Sequence, residues 1–269
     1  MLRVRRYGTT GPWVVLIHGG PGVAGYMAPL GRELADEFRL LEPFQRGSSG
    51  ERLTVARHVG DLADTILEHC GSELPALVGS SWGAMLALAF AAEHPDRVGP
   101  LVLVGCGTFD AESRAVFRST LLRRLAGPAA AEIARLRSAV EDPDTRLRAL
   151  GALMLPAYSH DLLPHDDETD TVDALALEET WADMLRRQRE GIFPTTLASI
   201  RTPVLMLHGD TDPHPGQRIR DGLRPVLPGL EYRELARCGH YPWLEREARD
   251  VFFAELRAWL REHAPRSGR

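Results

Sequence analysis

A G-x-S-x-G motif occupies positions 79–83 of the chain and offers the clearest nucleophile in the sequence. The residues before it, 75–78, have the apolar character of a buried strand, and residues 84–92 are rich in alanine and leucine, as a helix is. A sharp turn between a strand and a helix lifts a serine hydroxyl above the sheet edge, and small neighbours let the backbone bend that tightly. The spacing therefore predicts Ser81 as the nucleophile and Ser80 as its neighbour.

A serine hydroxyl needs a base to activate it, and the base needs an acid to orient it. The apolar run 203–207 reads as a strand and ends shortly before Asp212, and the run 231–235 ends shortly before His240. An acid after one strand and a histidine after the next follow the serine in one of the chain orders in which this chemistry occurs. We therefore predict His240 as the general base and Asp210 or Asp212 as the orienting acid. The histidines on predicted helices are expected to be exposed: His58, His69, His94 and His263.

A glycine-rich loop, His-Gly-Gly-Pro-Gly at 18–22, follows the apolar run 14–17. A tetrahedral intermediate needs backbone N–H donors aimed at its oxyanion, and glycines let the main chain approach closely. One donor is predicted to be the N–H of Trp82, which follows the nucleophile, and the other that of Gly19 or Gly20.

Strand-like and helix-like segments alternate along both ends of the chain. Apolar strands separated by helices predict a mostly parallel sheet that is flanked by helices on both faces, an α/β fold. Between residues 108 and 200 the sequence offers helical stretches and no convincing strand. We therefore predict a core made of residues 1–107 and 201–269, with a helical cap inserted at 108–200.

Together these motifs resemble the α/β-hydrolase superfamily and, within it, the proline-iminopeptidase-like branch. The resemblance is carried by the loop at 18–22, the Gln-Arg-Gly turn at 45–47 and the Ser-Trp-Gly of the G-x-S-x-G motif, and it covers nearly the whole chain outside the middle. It implies the α/β-hydrolase fold, serine chemistry and Asp212 as the triad acid, because Asp212 completes an H-G-x-x-D pattern. Asp210 and Asp110 remain alternative acids, the latter because some relatives carry the acid after the preceding strand.

The substrate is expected to be a small acyl compound, an ester or a lactone, cleaved through a Ser-His-Asp triad and an acyl-enzyme. Phe44 stands where the resembled branch usually has an aspartate, and the middle segment is shorter than in typical iminopeptidases. An aminopeptidase-like enzyme remains an alternative, as does a relative of the fold that binds a ligand without turning it over. Phe44, Tyr241 and Trp243 are predicted to line the substrate pocket.

An aminopeptidase would need carboxylates to hold the substrate amine. The acidic stretch 165–170, or Glu178 and Glu179 on a predicted helix, could supply them. A solvated surface loop is the simpler interpretation of the acidic stretch.

The composition excludes several other classes of protein. All 32 basic residues are arginine, so no Walker-A, Schiff-base or pyridoxal lysine exists, and the net charge of −5 gives no footprint for nucleic acid or anionic membrane. No helix carries histidines and carboxylates at ligand spacing, so we expect no metal and no other cofactor. Three cysteines without a disulfide framework and the absence of a signal peptide predict a cytoplasmic protein whose partner is a small-molecule or short-peptide substrate. The sequence carries no signal for an oligomeric state.

Overall fold

The strands and helices follow the predicted alternation in the computed structural model, which describes residues 1–265. The strands are β1 (Val4–Tyr7), β2 (Trp13–Ile17), β3 (Val23–Ala24), β4 (Arg39–Pro43), β5 (Ala76–Ser80), β6 (Leu101–Val104), β7 (Thr171–Val172), β8 (Val204–Gly209) and β9 (Leu230–Leu235). The α-helices are α1 (Ala28–Leu34), α2 (Val55–Cys70), α3 (Trp82–Glu93), α4 (Ala111–Arg124), α5 (Pro128–Ala139), α6 (Pro143–Tyr158), α7 (Ala174–Arg189), α8 (Gly216–Leu223) and α9 (Arg249–His263).

Seven strands form one sheet in the order β1-β4-β2-β5-β6-β8-β9. The edge strand β1 pairs antiparallel with β4, and every other pairing in this sheet is parallel. Parallel neighbours end at the same edge of the sheet, so the residues that follow β2, β5, β6, β8 and β9 meet there. The predicted fold class, a mostly parallel sheet between helices, is confirmed.

The central strands are apolar on both faces because both faces are covered. Successive side chains point to opposite sides, so Val15 and Leu77 join a core formed with α2 and α3, whereas Val14 and Val78 join a core formed with α1 and α9. These four side chains are fully buried. Continuous apolar runs, rather than alternating ones, follow from this burial.

The middle of the chain is mostly helical, with α4 to α7 lying between β6 and β8 in sequence. The expectation that it holds no strand is wrong for two residues: β7 pairs antiparallel with β3 in a second, two-stranded sheet. Strands this short produce no periodic pattern, which is also why β3 was not predicted. We propose that α4 to α7 form the cap predicted for residues 108–200.

None of the helices within residues 1–265 combines the length and the apolar character needed to cross a bilayer. The three cysteines, Cys70, Cys106 and Cys238, are free and buried. Burial raises the pKa of the Cys70 thiol to about 12, so this group stays protonated and behaves as a small apolar side chain.

The expectation that His58 is exposed is wrong, because this residue is buried. It lies on the inner face of α2, where its Nε2 is 2.8 Å from the hydroxyl oxygen of Thr180 on α7. Its ring meets the edge of the Trp82 ring, with centroids 6.1 Å apart. The histidine thus joins α2 to the predicted cap, a contact across 122 residues of sequence that helical periodicity does not contain.

The burial of His58 predicts a dependence of stability on pH. Burial lowers the pKa of His58 to about 4, whereas an unfolded chain binds this proton near pH 6.5. Between these values only the unfolded chain takes up the proton, so the free energy of unfolding decreases as the pH falls from 6.5 to about 4. We expect His58→Gln, which retains a polar partner for Thr180, to flatten the profile by at most ~1.4 kcal/mol per pH unit. Urea unfolding at pH 7.5, 6.0 and 5.0 measures this.

The matched control is His160→Gln, because His160 is exposed to solvent. That variant should keep the wild-type slope. Parallel profiles for wild type and His58→Gln would show that His58 is solvated and protonated in the folded protein.

Candidate active site

Ser81 lies at a sharp turn between the last residue of β5 and the first residue of α3. Its backbone has φ 55° and ψ −117°, a strained conformation for a residue with a side chain. The turn is held by the Ser81 N–H, which donates to the carbonyl oxygen of Val104 at the end of β6 at 2.8 Å. This strand–turn–helix geometry is the one expected from the motif, and it leaves Ser81 partly exposed.

Both glycines of the motif are required by close backbone approach. A Cβ on Gly79 would lie 2.3 Å from the carbonyl oxygen of Gly83, across the turn. A Cβ on Gly83 would lie 2.0 Å from the carbonyl oxygen of Ile17 in β2. The turn therefore presses against the neighbouring strand, and no side chain fits at either position.

Asp212 and His240 follow the last two strands of the sheet, and their side chains meet. Asp212 follows β8, His240 follows β9, and Asp212 Oδ2 is 2.7 Å from His240 Nδ1. Both side chains are buried. His240 also lies against the turn beside the nucleophile: a Cβ on Gly105, which follows the partner of the Ser81 N–H, would be 2.9 Å from His240 Nδ1. The three predicted triad residues thus occupy one edge of the sheet.

The two alternative acids are engaged elsewhere and are exposed. Asp210 Oδ1 accepts a hydrogen bond from the Cys238 N–H at 3.1 Å. Asp110 begins α4, where its side chain accepts from the Ser113 N–H at 2.7 Å. Neither has a hydrogen bond to His240 in the part of the chain that the structure describes, so the geometry favours Asp212.

Three imidazoles surround the Asp212 carboxylate. Besides His240, His214 approaches Oδ1 with its Nδ1 at 3.0 Å, and His208 approaches Oδ2 with its Nε2 at 3.3 Å. Burial alone would raise the pKa of Asp212, but His240, His208 and His214 hold it well below its usual range. The carboxylate is therefore ionised and acts as an acceptor only.

Asp212, His214 and His240 also have the donor atoms of a metal site, all within 4.8 Å of one another. However, the Asp212–His240 separation of 2.7 Å fits a shared proton. Zinc lies about 2.0–2.2 Å from each such ligand, so it does not fit between these atoms. We interpret the group as hydrogen-bonded.

The glycine-rich loop lies beside the nucleophile, and a Cβ on Gly19 would be 2.7 Å from Ser81 Cβ. The Gly19 N–H donates to the hydroxyl oxygen of Tyr26. Of the two predicted loop donors, Gly20 is the one whose N–H does not make this hydrogen bond. The Trp82 N–H belongs to the first turn of α3, where N–H groups have no partner within the helix. The geometry therefore favours Gly20 and Trp82 over Gly19 as the oxyanion donors.

Gln45 joins the two segments that carry these donors. Its backbone N–H donates to His18 Nε2 at 3.0 Å, and its side-chain amide donates to the His18 carbonyl oxygen at 2.7 Å. Its amide oxygen accepts from Trp82 Nε1 at 2.8 Å. Gln45 of the Gln-Arg-Gly turn thus connects the loop at 18–22 to α3 by hydrogen bonds.

A cavity of about 450 Å³ opens beside Gly20, beneath α6. Aromatic side chains form much of its wall: Tyr26, Tyr158, Tyr241 and Trp243. Aliphatic side chains form another part, among them Val23, Leu147, Met154, Leu155 and Leu244, and polar residues of α6 and of the acidic stretch 165–170 also line it. The predictions for Tyr241 and Trp243 agree with this placement.

Phe44 is a different case, because it is not among the residues that line this cavity. Its ring lies under the guanidinium groups of Arg3 and Arg5, which are 3.9 and 5.0 Å from the ring centroid. Both arginines belong to the N-terminal segment around β1, an arginine-rich edge strand that the apolar patterns did not predict. The structure thus gives Phe44 a packing role in place of the predicted pocket role.

The acidic stretch 165–170 lies at the rim of the cavity, and most of its carboxylates are paired with arginine. Arg148 approaches Asp167 at 3.3 Å, Arg32 binds Glu168, and Arg3 binds Asp170. Asp166 also lines the cavity and is exposed. The stretch therefore presents less negative charge than its sequence indicates.

The other two candidate carboxylates lie on α7, away from the cavity lining. Glu179 accepts a hydrogen bond from the Leu53 N–H at 2.8 Å, and Glu178 is exposed. Neither is placed to hold a substrate amine in this cavity.

Sequence reasoning missed three side chains around the site: Tyr26, Tyr158 and His214. Tyr26 contacts the glycine-rich loop, and Tyr158 lies with its ring centroid 5.2 Å from that of His240. No short motif marks the two tyrosines, because they reach the site only through folding. His214 lies two residues after Asp212, so its proximity to the acid was the one available signal.

The family model for the α/β-hydrolase fold matches residues 12–247 of the chain. The proline iminopeptidase of Lactobacillus helveticus (strain DPC 4571) is 24% identical over 94% of this chain and 90% of its own length. Among solved structures, a thermophilic esterase from Thermogutta terrifontis has a TM-score of 0.65 at 23% identity and covers 97% of this chain and 93% of its own. The enol-lactonase from Burkholderia xenovorans LB400 has a TM-score of 0.62 at 20% identity, covering 97% and 96%.

The close contact at Gly83 predicts that Gly83→Ala is strongly destabilising. The new methyl group would collide with the Ile17 carbonyl oxygen, which is backbone in a central strand and has no room to move. We expect a loss of at least about 3 kcal/mol of unfolding free energy. Urea unfolding of the purified variant, or its recovery in the insoluble fraction, measures the effect.

Gly60→Ala is the matched control. Gly60 is an exposed position in α2, and a Cβ there would meet nothing within 4 Å. Alanine favours a helix over glycine, so this variant should be more stable by about 0.5–1 kcal/mol. Equal stability of the two variants would contradict the close approach of α3 to β2.

Proposed function

Because the chain belongs to the α/β-hydrolase fold family and is a hydrolytic enzyme, we propose that it cleaves small esters or lactones with Ser81 as the nucleophile. The observation that carries this proposal is the Asp212–His240 hydrogen bond at the same sheet edge as the Ser81 turn. In this proposal the three residues form a triad and the reaction passes through an acyl-enzyme.

The hydrogen bond to Asp212 also sets the tautomer of the base. An ionised carboxylate only accepts, so the proton between the two residues is carried by His240 Nδ1. The other ring nitrogen, Nε2, is then free to accept the proton of Ser81 as its oxygen attacks the acyl carbonyl. The imidazolium formed in this way is stabilised by Asp212 and returns the proton to the leaving alcohol oxygen.

The negative charge that develops on the acyl oxygen is proposed to be bound by the N–H groups of Gly20 and Trp82. Trp82 has a backbone role here, because its side chain is buried and bound to Gln45. Water then attacks the acyl-enzyme, with His240 as the base, and releases the acid. In a lactone both products are one molecule, a hydroxy acid.

The cavity supports a small and largely apolar substrate. Much of its wall is aromatic and aliphatic, its polar lining comes mainly from Arg148 and the acidic stretch 165–170, and arginine partners occupy the carboxylates of Asp167 and Glu168. An acyl group or alcohol of modest size would bury apolar surface there, and it would not separate Asp167 or Glu168 from the arginine partner. The esterase and the lactonase named above share this fold and are consistent with such a substrate.

An aminopeptidase-like activity is the second candidate. The proline iminopeptidase of Lactobacillus helveticus aligns over 94% of this chain, and Asp166 lines the cavity as an exposed carboxylate. A substrate ammonium could pair with Asp166 alone. We favour ester or lactone cleavage because the other nearby acids already have arginine partners.

Ser81→Ala should reduce kcat for p-nitrophenyl butyrate by about 1,000-fold or more, since the triad works as a unit. Initial rates on this ester and on L-proline p-nitroanilide, measured side by side, test the proposal. We expect Ser81-dependent cleavage of the ester and little cleavage of the anilide. A fluorophosphonate should label wild type and not Ser81→Ala. If Ser81→Ala kept its rate within tenfold of wild type, the nucleophile would be assigned wrongly.

Asp166→Asn separates the two substrate classes. If Asp166 holds an amine, kcat/KM should fall about tenfold for the anilide relative to the ester. Under our proposal the ratio of the two rates does not change. The matched control is Glu178→Gln, which removes an exposed charge outside the cavity lining. A selective loss on the anilide, absent in the control, would establish the aminopeptidase.

A further inference from the structure

His214 makes two hydrogen bonds to one oxygen of the triad acid. Its backbone N–H donates to Asp212 Oδ1 at 2.8 Å, and its Nδ1 lies 3.0 Å from the same oxygen. The side chain is buried, with 9% of its surface exposed. Because the ionised carboxylate only accepts, Nδ1 of His214 carries a proton.

The two oxygens of Asp212 therefore have different histidine partners. His214 occupies Oδ1, whereas Oδ2 is approached by His240 Nδ1 at 2.7 Å and by His208 Nε2 at 3.3 Å. A carboxylate that rotated about its own axis would break both contacts made by His214. By holding Oδ1, His214 therefore helps to fix the position of Oδ2, which faces His240.

The ring of His214 is also sandwiched between the predicted cap and the base. On one side it stacks on Phe117 of α4, with centroids 4.1 Å apart and planes 19° apart. On the other it stacks on His240, with centroids 4.7 Å apart and planes 23° apart. A neutral ring fits this place, because a charged one would face the imidazolium that His240 becomes during the reaction.

The titratable groups that face His214 come from four parts of the structure. Asp212 lies on the same loop, His208 at the end of β8 approaches the His214 carbonyl oxygen at 3.0 Å, and His240 follows β9. Tyr158 of α6 lies 6.1 Å away between ring centroids. Burial, with His240 and His208 nearby, lowers the pKa of His214 to about 4, so the ring is neutral at the pH of an assay.

We infer that His214 is a positioning residue of this site: it fixes Asp212 through Oδ1 so that Oδ2 meets His240, and its ring holds His240 against α4. This inference rests on the proposed triad and adds a fourth member that does not touch the substrate carbonyl. It assigns the histidine of the Asp-Pro-His sequence at 212–214 a role in setting the basicity of His240.

The test compares His214→Leu with His214→Asn. Leucine removes the Nδ1 donor, whereas asparagine can place an N–H donor at nearly the same point. With one donor fewer, Asp212 carries more negative charge toward His240, so the pKa of His240 rises and the acid limb of kcat/KM moves to higher pH. We expect kcat for p-nitrophenyl butyrate to fall about 10- to 100-fold in His214→Leu with KM changed little. His214→Asn should restore most of the rate and the wild-type acid limb.

Two further measurements distinguish failure of the inference from two other causes of a negative result. These causes are a variant that does not fold and a substrate that the enzyme does not cleave. Urea unfolding shows whether both variants are folded, and a stable His214→Leu variant with the wild-type acid limb and kcat within threefold would overturn the inference. NMR titration of His240 in wild type and both variants needs no substrate. If wild type cleaves neither ester nor anilide, the proposed function fails, and an upward shift of the His240 pKa in His214→Leu, reversed in His214→Asn, still supports the inference.

Discussion

One buried negative charge, the carboxylate of Asp212, governs the arrangement of the active edge of the sheet. An ion taken out of water costs several kcal/mol unless its partners repay it, and Asp212 is buried together with His208, His214 and His240. These partners come from the end of β8, the loop after it and the loop after β9, so satisfying one charge fixes three segments. The catalytic arrangement that we propose is therefore also a condition for burying the acid.

A second buried carboxylate, that of Glu245, links the predicted cap to the sheet by accepting hydrogen bonds from backbone N–H groups of both. Glu245 is fully buried and accepts hydrogen bonds from the Gly239 N–H at 2.9 Å, the His160 N–H at 2.9 Å and the Asp161 N–H at 2.7 Å. One side chain thus joins the loop that carries His240 to the segment that follows α6. Because α6 also supplies cavity-lining residues, Glu245 fixes the position of the His240 loop relative to the cavity.

Short-range signals were enough to predict the parallel strands of the sheet, although not its edge strand β1, and to single out the three candidate triad residues. Gly79 and Gly83 mark the turn at Ser81, because nearby backbone atoms exclude any side chain at these two positions. The sequence shows this constraint directly as two glycines. The order of Ser81, Asp212 and His240 along the chain follows from parallel strands that end at one edge. By contrast, the burial of His58 and the contacts of Tyr26 depend on partners from other parts of the chain, which no local pattern encodes.

Phe44 shows how an expectation about the substrate can rest on the wrong residue. Its departure from the aspartate usual in the resembled branch favoured an ester substrate on the premise that Phe44 faces the pocket, but its ring lies beneath Arg3 and Arg5. A position beside two guanidinium groups is satisfied either by a carboxylate or by an aromatic face, so this exchange retains the electrostatic attraction. The case for an ester or lactone therefore rests on the aromatic wall of the cavity and on the arginine partners at its rim.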